Sequence, residues 1–322
     1  MADKPSRALV VYGDGLAPSL DAPIPHLHSL ATKACCGFLS LPDSPPSESE
    51  DDRVVREFSI LLDAFDAYCV QKGEESTCDS GSRGTALVPT VSERFMGMKA
   101  AMVTSNPSLR SFGNKLGINV LQFEELIDKK HSVAEGPIDA VSCGLLKLLG
   151  FQEGKLMDTG YFDLVFVHIG AGEQGDGEAD KVINYGIEYV NALVGSLMHV
   201  AQPGSEIGSR LHLSLVMSYG DISKFACSHL LTLVSKDNAD SRLVRLFPRQ
   251  SYTMRGEKPR EDVRHHCPML IAQWQDAVTR RDMAEAFSFE DFKEHGGNLV
   301  IPADRFLHEI AFKLWKAPKY GA

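Results

Sequence analysis

The chain has 322 residues, a formal net charge of −10 and 43% apolar residues. This composition is that of a globular protein, and it excludes the collagen-like, disulfide-scaffold and wholly disordered classes. The acidic balance argues against a nucleic-acid partner, which requires a basic surface.

The cysteines and the apolar runs indicate a cytoplasmic protein. The 7 cysteines include no Cys-x-x-Cys pair, which predicts reduced thiols rather than a zinc ribbon or a disulfide framework. The first residues show no apolar signal-peptide core, and no apolar run reaches the length of about 20 residues that spans a bilayer. We therefore expect no membrane association.

Short apolar runs alternate with helical patterns along the chain. Strands are predicted at Ala8–Tyr12, Ala100–Thr104, Ile118–Gln122, Leu164–Ile169, Leu211–Met217 and Met269–Ala272. Helices are predicted at 54–65 and 183–197, and a last helix is predicted to begin near Pro302. Such alternation is typical of a parallel sheet covered on both faces. The predicted fold class is α/β: a single three-layer α/β/α sandwich over residues 1–322, with a mainly parallel sheet.

Polar segments interrupt the alternation at residues 42–53, 71–88, 235–242 and 250–264. Their Ser, Gly, Pro and acidic residues predict exposed loops, and a flexible loop at 71–88.

A glycine motif follows the strongest predicted strand. The segment from Gly170 to Gly175 fits G-x-G-x-x-G, the pattern of dinucleotide-binding loops. Acidic residues such as Glu173 and Asp176 follow at once, however, and the first basic residue is Lys181. A pyrophosphate would be repelled there, so we predict an acidic turn and no dinucleotide cofactor. Carboxylates at a strand end can instead hold a metal ion.

Single residues in or after the strands are candidates for a site. Asp14 and Asp221 each follow a predicted strand, and parallel strands would bring both carboxylates to one edge of the sheet. His168 lies inside a predicted strand and is interpreted as a core residue.

Four stretches carry a resemblance to a known family. They are Ala8–Leu39, Gly97–Gln122, Tyr161–Val182 and Pro268–Trp315. In the first, a strand ends in Asp-Gly and leads through a Pro-x-x-x-x-Leu-Ala segment to a small-residue Cys-Gly turn. In this order the stretches resemble the alkaline-phosphatase-like superfamily, and within it the archaeal-type cofactor-independent phosphoglycerate mutases.

The resemblance implies metal chemistry. In that family two divalent metals clamp a phosphoryl group, and a Ser or Thr is the nucleophile. Here it implies a partial ligand set for one divalent ion, Mn²⁺, Zn²⁺ or Mg²⁺. The implied ligands are Asp14, Asp221, Glu173 and one of His265 and His266. Ile222 stands where the family has a His beside the second Asp, and a further His is missing from the loop after residue 170.

The resemblance places the nucleophile at Ser47 or Ser49. Their acidic neighbours, Glu48 and Glu50, would repel a phosphate on either serine. The alternative is that this segment is the acidic N-cap region of a helix that begins near Arg53.

Two functions are compatible with this sequence. Phosphoglycerate mutases insert a cap domain between the nucleophile and the second conserved stretch, and only residues 50–95 stand there in this chain. The first hypothesis is a degenerate member that serves as a binding or regulatory scaffold, with a protein or a phosphorylated small molecule as partner. The alternative is an active phosphatase or phosphotransferase with a rearranged one-metal site.

Overall fold

One large sheet organises the chain. The computed structural model describes residues 6–45, 48–73, 89–127, 137–157, 161–170, 179–222, 254–255, 258–259, 263–264, 266–297 and 300–318. Its strands in chain order are β1 (Arg7–Asp14), β2 (Cys35–Ser40), β3 (Ala100–Val103), β4 (Asn119–Leu121), β5 (Phe151–Gln152), β6 (Lys155–Leu156), β7 (Leu164–Gly170), β8 (Leu211–Met217), β9 (Met254–Arg255), β10 (Lys258–Pro259), β11 (Met269–Trp274) and β12 (Val300–Pro302).

The large sheet has 8 strands in the order β12-β2-β11-β8-β1-β7-β3-β4. Strand β1 lies inside it, with Val11 opposite Val167 on one side and Leu215 on the other. All its pairings are parallel except those of β11, which runs antiparallel to both β2 and β8. The carboxyl ends of β1, β7 and β8 therefore meet at one edge of the sheet. The short strands β5–β6 and β9–β10 form two separate antiparallel pairs.

Helices cover both faces of the sheet. They are α1 (Pro25–Ala31), α2 (Glu50–Leu61), α3 (Phe65–Lys72), α4 (Val91–Arg94), α5 (Pro107–Lys115), α6 (Pro137–Leu148), α7 (Ala179–Val200), α8 (Glu206–Arg210), α9 (Phe289–His295) and α10 (Phe306–Lys313). Helices α1, α6, α7 and α9 share one core with the side chains of one sheet face. Helices α2 to α5 and α10 share a second core with the other face. The predicted three-layer α/β/α class is confirmed.

The sequence predicts the strands with long apolar runs and misses two short strands of the large sheet. All predicted strands are present. The small-residue turn expected near Cys35 is wrong, because Cys35–Ser40 forms the fully buried strand β2. The last helix begins near Pro302 as predicted: a 3₁₀ turn over Ala303–Arg305, with Pro302 as its N-cap, leads directly into α10 at Phe306. The prediction misses the short edge strand Val300–Pro302, which pairs with β2. Both missed strands have pairing partners that are distant in sequence.

The predicted loops are tested only in part. The loop expected over 42–53 is wrong at its end, because α2 begins at Glu50 and Arg53 is buried. Residues 74–88, 235–242 and most of 250–264 lie outside the described residues, and the single-domain organisation stays a prediction. In the part of the chain that the structure describes, no helix is long and apolar enough to cross a bilayer.

Helix α2 is held on the sheet by an aromatic contact at its centre. The Phe58 ring lies 5.4 Å from the Phe166 ring of β7 and 6.1 Å from the Tyr12 ring of β1, between ring centroids. Phe58 is fully buried. This contact packs the second half of α2 against β1 and β7.

Replacing Phe58 with Ala should destabilise the fold by about 3–5 kcal/mol, because it leaves a cavity between α2 and the sheet. Phe65→Ala is the matched control: Phe65 is 40% exposed, so its loss should cost well under half as much. Urea unfolding followed by circular dichroism measures both. Equal losses for the two variants would contradict the central role of Phe58.

Candidate functional site

Asp14 is the last residue of β1 and is buried at the carboxyl edge of the sheet. Its Oδ1 accepts hydrogen bonds from the Ser218 hydroxyl at 2.9 Å and from the Tyr12 hydroxyl at 3.2 Å. Ser218 also accepts a hydrogen bond from the Gly15 backbone N–H at 3.0 Å. The turns after β1 and β8 are thus joined through the Asp14 carboxylate.

Glycines allow these two turns to approach each other. Gly15 and Gly220 have φ values of 69° and 67°, in the left-handed region that favours glycine. A Cβ atom on Gly220 would lie 3.0 Å from the Gly15 Cα. Side chains at this position would push the turns apart and open the site.

A guanidinium covers both oxygens of Asp14. Arg53, from the first turn of α2, donates from Nη1 to Oδ1 and from Nη2 to Oδ2, each at 2.9 Å. This is the bidentate arrangement in which arginine binds a carboxylate most strongly. Both side chains are nearly fully buried, with 7% exposure for Arg53 and 4% for Asp14.

Two glutamates of α2 complete the surroundings of Arg53. Glu50 accepts from Nε at 3.0 Å and from Nη2 at 2.6 Å, and Glu57 accepts from Nη1 at 3.1 Å. Together with the two bonds to Asp14, these contacts use each of the five N–H donors that a guanidinium has. Arg53 therefore has no donor left for a ligand.

Glu57 connects this group to a distant segment. It is fully buried, and its Oε1 accepts from Arg264 Nη1 at 3.4 Å. Arg264 also donates from Nη2 to the Cys267 carbonyl at 2.9 Å, just before β11. The segment that leads into β11 is therefore tied to α2 through a buried ion pair.

His168 forms the side of the site toward β7. It is buried, as expected, and its Nδ1 lies 3.1 Å from the Thr104 hydroxyl. Its Nε2 lies 3.7 Å from Asp14 Oδ2. The imidazole thus faces the oxygen of Asp14 that Arg53 Nη2 binds.

The pKa shifts follow from burial and from these neighbours. Burial raises the pKa of Asp14, but Arg53 and His168 lower it by more, so the pKa lies well below the ordinary value. For Glu57, burial outweighs the attraction of Arg264 and Arg53, and its pKa is raised. Although burial lowers the pKa of Arg53, Asp14 and Glu50 raise it further, so Arg53 remains protonated. At neutral pH the centre is an ionised Asp14 under a guanidinium.

The structure places the predicted site residues as follows. Asp14 is at the centre, and Asp221 is exposed in the turn after β8. Ser49 is the N-cap of α2, where its hydroxyl accepts from the Asp52 backbone N–H at 3.2 Å. His266 is half-buried before β11. Ser47, Glu173 and His265 lie outside the described residues.

The described residues do not fit a divalent ion at Asp14. Among them, no three His, Cys, Asp or Glu side chains converge as metal ligands would. A metal bound through carboxylate oxygens at about 2.0–2.6 Å would have to displace the guanidinium that both Asp14 oxygens already accept. The positive charge at this edge is supplied by Arg53.

The sequence analysis does not predict that Arg53 and Glu57 belong to the site, because the acidic segment around them is typical of a solvated surface. A usable signal was present: Glu50, Arg53 and Glu57 recur at helical spacing, one position before the apolar residues Val54 and Phe58. A charged stripe beside an apolar stripe lies at the border of the core. Such a position favours buried ion pairs over solvated ones.

Comparisons with known proteins show the fold. No family model matches the sequence, and no curated protein is a significant match. The structure of the PH0037 protein from Pyrococcus horikoshii superposes with a TM-score of 0.54 at 12% identity, over 99% of both chains. A cofactor-independent phosphoglycerate mutase from Thermoplasma acidophilum DSM 1728 superposes with a TM-score of 0.47 at 9% identity, over 96% of this chain and 99% of that one. A Vibrio parahaemolyticus protein of the alkaline phosphatase superfamily gives 0.42 at 9% identity, over 86% of this chain and 61% of that one. Of these three, only the PH0037 superposition exceeds a TM-score of 0.5, and at 12% identity it shows a shared fold alone.

Replacing Asp14 with Asn should lower the free energy of unfolding by about 3–5 kcal/mol, because Arg53 would keep a buried charge without its main partner. Glu50→Gln is the control, since the Glu50 side chain is 65% exposed and should cost less than about 1 kcal/mol. Urea unfolding at neutral pH measures both changes. A loss for Asp14→Asn no larger than that for Glu50→Gln would show that the bidentate pair is not the central contact.

Stability should also depend on the titration of Asp14. Its pKa in the folded state is lowered from the ordinary value of 3.8, so its contribution is fully present above that pH and is lost as the pH falls further. Between about pH 5 and about pH 3, the wild-type chain should therefore lose more unfolding free energy than Asp14→Asn does. Urea unfolding at the two pH values tests this, and parallel losses in both proteins would contradict it.

Proposed function

We propose that this chain is a non-catalytic protein of the alkaline-phosphatase-like fold, a binding or regulatory scaffold with a degenerate metal site. The observation that carries the proposal is the Arg53 guanidinium bound to both oxygens of Asp14. It is supported by the Ser49 hydroxyl, which caps α2. The resemblance implies that Asp14 is a metal ligand and that Ser47 or Ser49 is the nucleophile.

A guanidinium can replace the charge of a metal ion but not its chemistry. A divalent metal stabilises buried carboxylates and also offers coordination positions that polarise a phosphoryl oxygen or lower the pKa of water. Arg53 provides the first effect only, because each of its N–H donors is bound to a carboxylate of this chain. Arg53 thereby balances the charge of Asp14 at the point where the resemblance implies a metal ligand.

The same geometry favours a protein partner over a phosphorylated small molecule at this edge. A phosphoryl group would have to compete with Asp14, Glu50 and Glu57 for Arg53, and these carboxylates would repel it. The proposed scaffold therefore binds its partner through its surface. The cysteine usage of the sequence favours the cytoplasm as its location. The alternative, a one-metal phosphatase, requires Asp14 to release Arg53 before any metal can bind.

Metal titration and an activity assay test the proposal. The full chain, stripped of metal, should show no micromolar binding of Mn²⁺ or Zn²⁺ by calorimetry beyond that of the Asp14→Asn/Asp221→Asn double variant. It should also release no phosphate from p-nitrophenyl phosphate with Mn²⁺, Zn²⁺ or Mg²⁺, while an alkaline phosphatase assayed in parallel does.

The controls make the result decisive. Asp221→Asn alone changes an exposed residue and should leave the fold intact, which circular dichroism checks. If the wild-type chain binds a metal that the double variant does not bind, and releases phosphate with it, the scaffold proposal is wrong and the one-metal enzyme is supported.

A further inference from the structure

Two more buried guanidiniums lie beside the Asp14 centre. Arg56 and Arg264 are each 2% exposed, and both donate to the hydroxyl of Ser44. The distances to Ser44 Oγ are 3.0 Å from Arg56 Nη2 and 3.2 Å from Arg264 Nη1. Two like charges thus converge on one neutral oxygen.

Each of these arginines keeps a buried donor without a partner among the described residues. The donors are Arg56 Nη1 and Arg264 Nε. A buried donor that makes no hydrogen bond costs about 1–3 kcal/mol. In Arg56 the free Nη1 belongs to the same guanidinium end as the Nη2 that binds Ser44, and two such N–H groups bind phosphate oxygens in parallel.

Carboxylates neutralise the two arginines only in part. Glu48 accepts from Arg56 Nε at 2.7 Å and also from the Tyr68 hydroxyl at 3.3 Å. Glu57 lies 3.4 Å from Arg264 and 4.0 Å from Arg56, but it is shared with Arg53. Glu48 and the shared Glu57 are thus the carboxylates that face the two guanidiniums beside Ser44.

Ser44 lies between two exposed residues. It is half-buried in an irregular segment before α2, and its neighbours Asp43 and Pro45 are exposed. A free oxyanion would have to displace the Ser44 hydroxyl from between the guanidiniums. A phosphoryl group carried on that hydroxyl would lie beside them directly.

We propose that Ser44 is a phosphorylation site whose phosphate is bound by Arg56 and Arg264. A separate protein kinase with a nucleoside triphosphate supplies the group: a bond forms between Ser44 Oγ and the terminal phosphorus, and the bond from that phosphorus to its bridging oxygen breaks. The hydroxyl proton leaves to the kinase base, and a nucleoside diphosphate is released. The phosphate adds a charge of about −1.5 to −2 and gives the free donors acceptors. This inference goes beyond the scaffold proposal and holds whether or not the Asp14 centre is catalytic.

Phosphoserine incorporated at position 44 of the full chain tests the binding. Phosphoserine at Ser105, an exposed residue before α5, is the matched control. In ³¹P NMR titrations, the second phosphate pKa should be lower at position 44 than at 105 by about half a unit or more, because two guanidiniums favour the doubly charged form. The difference should shrink in Arg56→Lys, which keeps the charge and loses the paired donors.

Each other outcome overturns the proposal. Equal phosphate pKa values at the two positions, or loss of folding on modification at 44 alone, would show that the arginines do not accept the group. Binding of inorganic phosphate by the unmodified chain, abolished by Arg56→Lys, would assign the arginines to a free oxyanion instead. Finally, a Ser-Pro-directed kinase that labels a peptide of residues 38–50 but not the folded chain would exclude Ser44 as an acceptor.

Discussion

The bidentate ion pair between Asp14 and Arg53 is the constraint on which the site depends. It joins the end of a central strand to the first turn of a helix on the sheet face. Buried ion pairs add little net stability, because desolvation offsets the attraction, but a single unpaired partner is very costly. The pair therefore acts mainly as a requirement: α2 must be placed so that Arg53 reaches Asp14. Phe58 lies one turn further along the same helix, and its packing supplies the apolar energy that the ion pair lacks.

The location of this pair follows from general rules for open α/β sheets. Ligand sites of such sheets lie beyond the carboxyl ends of the strands, where turns can converge without blocking the pairing. In this chain the turns after β1 and β8 converge on one carboxylate, and a side chain of the protein occupies the position of a ligand. Under the proposed function, this internal cation takes the place of an external metal ion and gives up the chemistry that a metal would support.

Much of the fold was predictable from sequence, and much of the site was not. The long strands are predictable because they are continuous apolar runs, such as Leu164–Gly170, and the central sheet follows from their alternation with helices. Asp14 was predictable from its place after such a run. The pairing of β2 was not, because Cys35–Ser40 has no local signal distinct from a turn. The role of Arg53 was predictable only in part. Its spacing with Glu50 and Glu57 indicates the border of the core, but its partner Asp14 lies 39 positions earlier, and no local pattern identifies that partner.

The antiparallel strand β11 also bears on how the chain assembles. It lies between β2 and β8, so without it the large sheet is two separate pieces, β12-β2 and β8-β1-β7-β3-β4. Because β11 runs in reverse, its beginning is at the edge where the parallel strands end, which brings Arg264 to Glu57. During synthesis, β2 and β8 must therefore wait with unpaired edges until residues 269–274 have left the ribosome. Arg264, the last charge of the buried group, lies just before this strand in the chain. The two pieces of the sheet and the ion network can therefore join only after the chain has been made as far as β11.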